Sequence, residues 1–235
     1  MGKKVNWGSL LNSRIAANDK LRELYSRVEG LKPIDAGHNF DHTLRVAKYT
    51  AQIFSDEVQT RFGRSAHAEE LDACFAAAIL HDCVPVPKDS PLRKESSRLS
   101  SETARTWLNE LSWNASQIDS IVNAVQDHSY SAGRTPKDLL GEALQDGDRL
   151  ESLGALGLYR TIATGVAMGA ELFNAKDPFA KERVLDDKKY SLDHFYTKLL
   201  KLPEGFKTQT AKREAHLRAE FLERFADQLS KEIES

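Results

Sequence analysis

The sequence FAAAILHDCVPVP, residues 75–87, carries a run of small apolar side chains into an adjacent histidine and aspartate, and then into two prolines. A helix over the apolar run is predicted to be buried, because residues 75–80 offer almost no polar face. It is predicted to end within a residue or two of Asp82, because Pro85 disfavours helical geometry in the residue before it. A buried imidazole and a buried carboxylate both need partners. His81 and Asp82 are therefore interpreted as metal ligands or as a buried ion pair.

Helical periodicity dominates the rest of the chain. Apolar residues recur at spacings of three and four, and strand signals are almost absent. This pattern predicts helices at residues 9–29, 39–62, 67–82, 98–112, 115–129, 136–151, 153–173, 190–202 and 208–233. The fold class is therefore predicted to be all-α, a helical bundle with no substantial sheet. The polar stretch at residues 174–190 is interpreted as a lid or as a surface connection.

Charge and composition exclude several classes of partner. The 33 lysines and arginines are balanced by 35 aspartates and glutamates, so no overall field attracts nucleic acid or an anionic membrane. No apolar run approaches the roughly 20 residues that cross a bilayer, and the amino terminus lacks the apolar core of a secretory signal. These features predict a cytoplasmic protein without membrane or nucleic-acid partners. Cys74 and Cys83 are predicted to be reduced and structural.

Further candidate ligands lie on either side of the His-Asp pair. Upstream, His38 and His42 are four residues apart and so share one helix face. Downstream, the stretch EALQDGDRLESLGALGLYR, residues 142–160, places Asp146 and Asp148 in an apolar helical region. One histidine, the His-Asp pair and one aspartate on three helices can supply four ligands and leave coordination positions for water and substrate. This arrangement is typical of metal-assisted hydrolysis.

The ordered pattern of His42, His81-Asp82 and Asp148 resembles the HD-domain superfamily of metal-dependent phosphohydrolases. Two longer segments are similar to a bacterial branch of stand-alone, predicted HD phosphohydrolases: LHDCVPVPKDSPLRKESSRLSSETA, residues 80–104, and LQDGDRLESLGALGLYR, residues 144–160. The resemblance implies a single HD-type helical domain over residues 1–235. Its motif core is expected at about 35–175, with a helical carboxy-terminal extension, 176–235, packed on that core.

The resemblance also implies a set of ligands for a divalent metal ion: His42, His81, Asp82 and Asp148. Asp146 is the alternative to Asp148, which is preferred because the family's ligand directly precedes an Arg-Leu or similar pair. Two imidazoles and two carboxylates suit Mn²⁺, Fe²⁺, Co²⁺ or Zn²⁺, and phosphate substrates favour Mn²⁺ or Mg²⁺ as the working ion. Mn²⁺ is the favoured ion.

The chain departs from the family's pattern at three positions. Gly147 replaces the alanine that is common between the two aspartates, and it is expected to loosen the helix. Asn39 stands where the branch often has an aspartate. Pro85 occupies the position at which related HD nucleotidases carry a glutamate that helps to activate water. The general base is therefore expected to come from elsewhere in the chain or to be the metal-bound hydroxide itself.

A basic segment directly follows the His-Asp pair. The stretch PKDSPLRKESSR, residues 87–98, can contact phosphate, because arginine presents a planar donor fork, lysine a mobile charge, and the next helix amino terminus backbone donors. Its candidate substrate-binding residues are Lys88, Arg93 and Ser97. His38 and His128 are further candidates, and each is alternatively a structural histidine. The candidate catalytic residues are Asp82, Asp146 and His128, with Asp146 expected to orient the attacking water or a ligand histidine.

Together these features predict a metal-dependent phosphohydrolase that cleaves a phosphate ester or anhydride of a nucleotide or similar small molecule by metal-activated water. The resemblance points toward nucleoside triphosphate pyrophosphohydrolysis, since the Gly-Tyr-Pro signature of HD cyclic-di-GMP phosphodiesterases is missing, with guanosine tetraphosphate hydrolysis as a further option. A different class stays open: a metal-stabilised nucleotide-binding or interaction module without turnover. The expected partner is a small phosphorylated substrate. The charged carboxy-terminal helix is expected to pack along the domain or against a second subunit, so a homodimer is compatible with the sequence.

Overall fold

Ten α-helices form most of the chain within residues 5–31, 40–86, 90–130 and 133–234, which the computed structural model describes. In chain order they are α1 Trp7–Ala17, α2 Asp19–Glu29, α3 Phe40–Phe62, α4 Ala68–Leu80, α5 Ser96–Glu110, α6 Ala115–Asp127, α7 Leu139–Leu150, α8 Gly154–Ala167, α9 Asp193–Thr197 and α10 Gln209–Glu234. No strand forms among these residues, and one isolated bridge joins Glu171 to Tyr190. The predicted all-α fold is confirmed. None of these helices combines the length and the apolar character that crossing a bilayer requires.

The chain divides into two compact units, Met1–Asp148 and Arg149–Ser235. In the first unit, α4 is the central element and packs against α2, α3, α5 and α6. In the second unit, α8 and the 3-10 turns at Leu199–Gly205 both pack on α10. The expected single domain, with its extension beginning at residue 176, stays a prediction.

The composition of α4 explains the core of the first unit. Residues 74–80 are each 1% exposed or less, so this helix has apolar neighbours on every side. At its start, Glu70 pairs with two guanidinium nitrogens of Arg64 and accepts a backbone hydrogen bond, and these contacts lower the pKa of Glu70 to about 2. Cys74 within the helix and Cys83 just beyond it are free and buried, as predicted. The His-Asp pair therefore leaves this helix from inside the core.

The prediction of one helix over residues 9–29 is wrong, because two helices meet at Asn18. The Asn18 side chain accepts hydrogen bonds from two backbone N–H groups in the first turn of α2, and its own extended backbone ends α1. Its amide also donates to Asp72 of α4, and Arg14 of α1 donates to both oxygens of the same carboxylate. The helix break is thus tied to α4, a long-range contact that local periodicity does not reveal.

The prediction of a helix over residues 190–202 is also wrong. The structure has only the five-residue α9, followed by 3-10 turns at Leu199–Gly205 that contain Pro203. Proline lacks a backbone N–H and its ring clashes with the preceding turn, so a regular α-helix does not continue here. Two backbone carbonyls of these turns accept hydrogen bonds from the Arg149 guanidinium instead.

The polar stretch at residues 174–190 is ordered by its own charged groups. The carboxylate of Asp177 accepts hydrogen bonds from the backbone of residues 181–183. The guanidinium of Arg183 pairs with both oxygens of Asp193, at 2.5 and 2.7 Å. Asp193 is only 1% exposed. These contacts favour the interpretation of the stretch as a structured connection between α8 and α9.

Candidate metal centre

Four helices deliver a cluster of histidines and aspartates to one place in the first unit. Its members are His42 in the first turn of α3, His81 and Asp82 directly after α4, His128 directly after α6, and Asp148 in the last turn of α7. His42, His81 and Asp148 each offer one ligand atom, and these atoms all lie within 4.8 Å of one another. Among the described residues, this is the one group of three or more His, Cys, Asp or Glu side chains with metal-binding geometry.

Asp82 and His128 lie beside this group. Oδ2 of Asp82 lies 3.6 Å from Nε2 of His81, and Oδ1 of Asp82 lies 3.6 Å from Nε2 of His128. The imidazole rings meet edge to face, with centroids 5.4 Å apart for His42 and His81 and 5.1 Å apart for His81 and His128. Nε2 of His42 lies 3.4 Å from Oδ1 of Asp148. Three imidazoles and two carboxylates therefore face one small volume.

The backbone determines which nitrogen of two of these histidines faces the cluster. Nδ1 of His81 lies 2.7 Å from the carbonyl oxygen of Ala78, and Nδ1 of His128 lies 2.6 Å from that of Val125. A carbonyl oxygen only accepts hydrogen bonds, so Nδ1 carries the proton and Nε2 of the neutral ring keeps its lone pair. Both histidines cap the end of a helix, which supplies the carbonyl three residues earlier. Metal-binding histidines are commonly oriented by this kind of contact.

Burial and neighbouring charge set the ionisation of the cluster. Burial lowers the pKa of His81, which favours the neutral imidazole. Burial alone would raise the pKa of Asp148, but the hydrogen bond with His42 and the charges of the nearby histidines lower it overall, well below its usual range. Burial of His128 is outweighed by the hydrogen bond and the charge of Asp82, which raise the pKa of His128. A neutral nitrogen ligand and an ionised oxygen ligand are thus available together.

These residues fit a divalent metal ion. Nε2 of His81 is buried and has no hydrogen-bond partner among the described residues, which is a costly state for a polar atom. Coordination to a metal would satisfy that lone pair. Imidazole nitrogen and carboxylate oxygen together suit divalent first-row transition metals.

Asp146, the alternative fourth ligand, is fully buried on α7. It lies outside the group formed by His42, His81 and Asp148. Two residues along an α-helix are rotated by about 200°, so Asp146 and Asp148 leave α7 in nearly opposite directions. The role of Asp146 in orienting water or a histidine stays a prediction.

The structure describes only some of the predicted substrate-binding residues. His38 and Lys88 lie outside the described residues, and so does the side chain of Arg93, whose backbone begins a 3-10 turn. Ser97 is buried in the first turn of α5. His128 lies beside Asp82, as described above. Phosphate binding by these residues stays a prediction.

Gly147 has a packing role that the sequence did not reveal. A methyl group at this position would lie 2.9 Å from Oγ1 of Thr50 and 3.1 Å from the Thr50 backbone nitrogen. At Gly147, α7 therefore lies against α3 with no room for a side chain. Gly147 directly precedes Asp148, so this contact helps to position the Asp148 carboxylate. Close packing, rather than a loosened helix, explains the glycine. A glycine inside a helical pattern is the signal that could have indicated it.

The variant Gly147→Ala is expected to weaken Mn²⁺ binding about tenfold and to destabilise the fold by about 1–3 kcal/mol, because the added methyl group overpacks the contact with Thr50. Isothermal titration with Mn²⁺ and thermal unfolding measure the two effects. Gly30→Ala is the matched control, since its methyl group would meet nothing closer than 3.6 Å. Unchanged Mn²⁺ affinity in Gly147→Ala would contradict the positioning role.

Comparison with known proteins places these features in a family context. The family model described as HD domain matches residues 39–153. YpgQ of Bacillus subtilis (strain 168) is 28% identical over 202 residues, which cover 84% of this chain and 85% of YpgQ. The crystal structure of an HD-superfamily hydrolase from Bacillus thuringiensis is 26% identical, with a TM-score of 0.68 over 92% of this chain and 98% of that one. The crystal structure of Bacillus subtilis YpgQ in complex with ADP is 23% identical, with a TM-score of 0.65 over 91% of this chain and 95% of that one. This similarity shows a shared fold.

Proposed function

Because the chain belongs to the HD-domain superfamily of metal-dependent phosphohydrolases, we propose that it hydrolyses a phosphate ester or anhydride of a nucleotide or similar small molecule, with Mn²⁺ as the working ion. The observation that carries this proposal is that the cluster is open on one side. The Asp82 and Asp148 side chains are 32% and 30% exposed, whereas those of His42 and His81 are 2% and 0% exposed. A structural metal site is normally closed by its protein ligands. The open side therefore favours an enzyme over a metal-stabilised binding or interaction module.

We propose that the ion is held by His42, His81, Asp82 and Asp148. When bound, it supplies a Lewis acid that polarises a phosphoryl oxygen and lowers the pKa of a water molecule. The ring orientation of one ligand and the ionisation of another are set by contacts within the protein. The carbonyl of Ala78 fixes the ring of His81, and the contact with His42 keeps Asp148 ionised.

Asp82 and His128 have distinct proposed roles. One carboxylate oxygen of Asp82 faces His81 and the other faces His128, each at 3.6 Å. Nδ1 of His128 is fixed by the carbonyl of Val125, and Asp82 raises the pKa of His128, so the protonated ring can direct Nε2–H toward the Asp82 carboxylate and hold it in one orientation. The partly exposed Asp82 can accept a proton from attacking water, which supplies the general base that Pro85 does not. Asp146 is proposed to support the orientation of the cluster from within α7.

A nucleotide is the proposed substrate class. The fold is shared with YpgQ, for which a crystal structure in complex with ADP exists. Divalent metal ions and phosphate oxygens are matched as hard partners. Within this class we propose nucleoside triphosphate pyrophosphohydrolysis, which would release pyrophosphate and a nucleoside monophosphate.

A product-resolved hydrolysis assay tests the function. Nucleoside mono-, di- and triphosphates and generic phosphate esters are each incubated with Mn²⁺ and either the parent protein or Asp82→Ala. Because the Asp82 side chain is about a third exposed, its truncation should leave the fold intact, which circular dichroism checks. Pyrophosphate release by the parent, reduced at least about a hundredfold in Asp82→Ala, is the expected result. Equal turnover by both proteins would overturn the assignment of the site, and nucleotide binding without turnover by the parent would support the binding module instead.

A further inference from the structure

A cavity of about 380 Å³ lies wholly within the second unit. It is bounded on one side by α8 and on the other by residues 187–199. The volume is in the range of small-molecule sites, roughly 300–1,000 Å³. None of the metal ligands described above lines this cavity.

Among the charged side chains that line the cavity, lysine and arginine outnumber carboxylates three to one. Arg160, Lys188 and Lys198 line it, and the carboxylate among the lining residues is that of Asp187. Nδ1 of His194 lies 3.1 Å from Asp187, and the hydroxyl of Thr197 donates to Asp187 at 2.9 Å. These two contacts lower the pKa of Asp187, with a smaller contribution from Lys188. The negative charge of Asp187 is thus already engaged by its neighbours.

Two of the cations are available to a ligand from solution. Lys198 makes no ion pair with the carboxylates of the described residues, and its side chain is exposed. Lys188 is also exposed and lies near only one lining carboxylate, that of Asp187. The guanidinium of Arg160 lies 3.8 Å from the carboxylate of Glu151, which is buried and does not line the cavity. The cavity is therefore lined by one arginine that is paired with a buried carboxylate and by two exposed lysines.

Close packing fixes the two walls against each other. A methyl group on Gly165 of α8 would overlap Oγ of Ser191 on the opposite wall, so the walls meet at this point without space for a side chain. The backbone of Ser191 is held in turn by a hydrogen bond to the carbonyl of Glu171. The hydroxyl groups of Thr161 and Thr164 also line the cavity and are able to donate to an anion.

We propose that this cavity binds a phosphorylated small molecule through Arg160, Lys188 and Lys198. A phosphate or diphosphate group matches the site better than a single carboxylate, because guanidinium pairs with phosphate oxygens in bidentate geometry and the two lysines can neutralise further charges. Met168, Ala170 and Leu199 provide an apolar part of the lining that can contact an organic group of the same ligand. None of the residues that line the cavity is a proposed metal ligand or catalytic residue, so binding there can be measured without turnover.

The test measures binding of ADP and of tripolyphosphate to the full chain in excess EDTA, by isothermal titration calorimetry. EDTA removes contributions that depend on the metal ion. The charge variant is Lys188→Met with Lys198→Met, and the matched control is Lys189→Met with Lys201→Met, two exposed lysines that do not line the cavity. All four positions are exposed, so both variants should fold.

Metal-independent binding that is weakened at least about tenfold in the charge variant, and within about twofold of the parent in the control, is the expected result. A retained affinity in Asp148→Asn would assign that binding to residues other than the metal ligands. The proposal is overturned if neither probe binds in EDTA at about 1 mM, or if the two double variants lose affinity equally. Failure of the hydrolysis assay alone would leave this site standing, because binding in EDTA needs no catalysis.

Discussion

The variant Asp148→Asn is expected to abolish stoichiometric Mn²⁺ binding and to reduce phosphohydrolase activity about a thousandfold or more, equivalent to at least about 4 kcal/mol of transition-state stabilisation. The substitution preserves size and shape but removes the charge. Oδ1 of Asp148 lies 3.4 Å from Nε2 of His42, and its ligand atom shares a 4.8 Å cluster with His42 and His81. An amide in that place is a weaker ligand and leaves two imidazoles without their anionic partner.

The matched comparison is Asp146→Asn, two residues earlier on the same helix. Asp146 lies outside the group of three ligand residues, so its variant should retain one Mn²⁺ per chain even where orientation of the cluster suffers. Asp119→Asn serves as a surface control, since Asp119 is an exposed residue of α6 that pairs with Arg105. Metal content by mass spectrometry and affinity by calorimetry are measured on all three variants.

Thermal unfolding gives a readout that does not depend on activity. A metal that binds only the folded state stabilises it by mass action, by about 2.7 kcal/mol at a concentration 100 times the dissociation constant. Added Mn²⁺ should therefore raise the Tm of the parent and of Asp119→Asn, but not that of Asp148→Asn. If Asp146→Asn loses the metal while Asp148→Asn keeps it, the fourth ligand is Asp146 and the assignment made from the Arg-Leu pair is wrong.

The His-Asp pair could be interpreted from sequence because its determinants are local. The apolar residues before His81 predict a buried helix, and Pro85 predicts that this helix ends nearby. The His-Asp pair is therefore expected to leave the helix inside the core. The order of the remaining histidine and aspartate residues added the resemblance to the family. The structure contributes the ring orientation of His81, which depends on a carbonyl three residues earlier that any sequence would supply.

Other features could not be predicted because they depend on contacts between distant segments. The break at Asn18 is fixed by Asp72, 54 positions away along the chain. The tight contact between Gly147 and Thr50 joins α7 to α3, and the distance between these helices cannot be predicted from the local sequence of either one. Arg149, which follows a proposed metal ligand in the sequence, donates to two backbone carbonyls of the 3-10 turns more than 50 positions away. Local patterns specify which residues are buried, whereas tertiary packing specifies which of them meet.

The second large effect is expected from Arg183→Met, which should lower the free energy of unfolding by about 3–5 kcal/mol, because it leaves the buried carboxylate of Asp193 without its cation. Arg183 pairs with both oxygens of Asp193, which is 1% exposed, and its guanidinium also lies 4.6 Å from the ring centroid of Tyr190. Nε of the same guanidinium donates to the backbone carbonyl of Asp177. One side chain thus connects the start of the polar stretch to the first turn of α9.

Urea unfolding followed by circular dichroism measures this loss, with Lys189→Met as a control that removes an exposed positive charge from the same stretch. Arg183→Lys keeps the charge but cannot reproduce the bidentate geometry, so an intermediate loss is expected. The double variant Arg183→Met with Asp193→Asn should recover part of the stability, because the buried charge is removed together with its partner. A loss below about 1 kcal/mol in Arg183→Met would mean that the pair behaves like an exposed one. The backbone donation from Asp186 to Asp193 would then be the contact that holds this stretch in place.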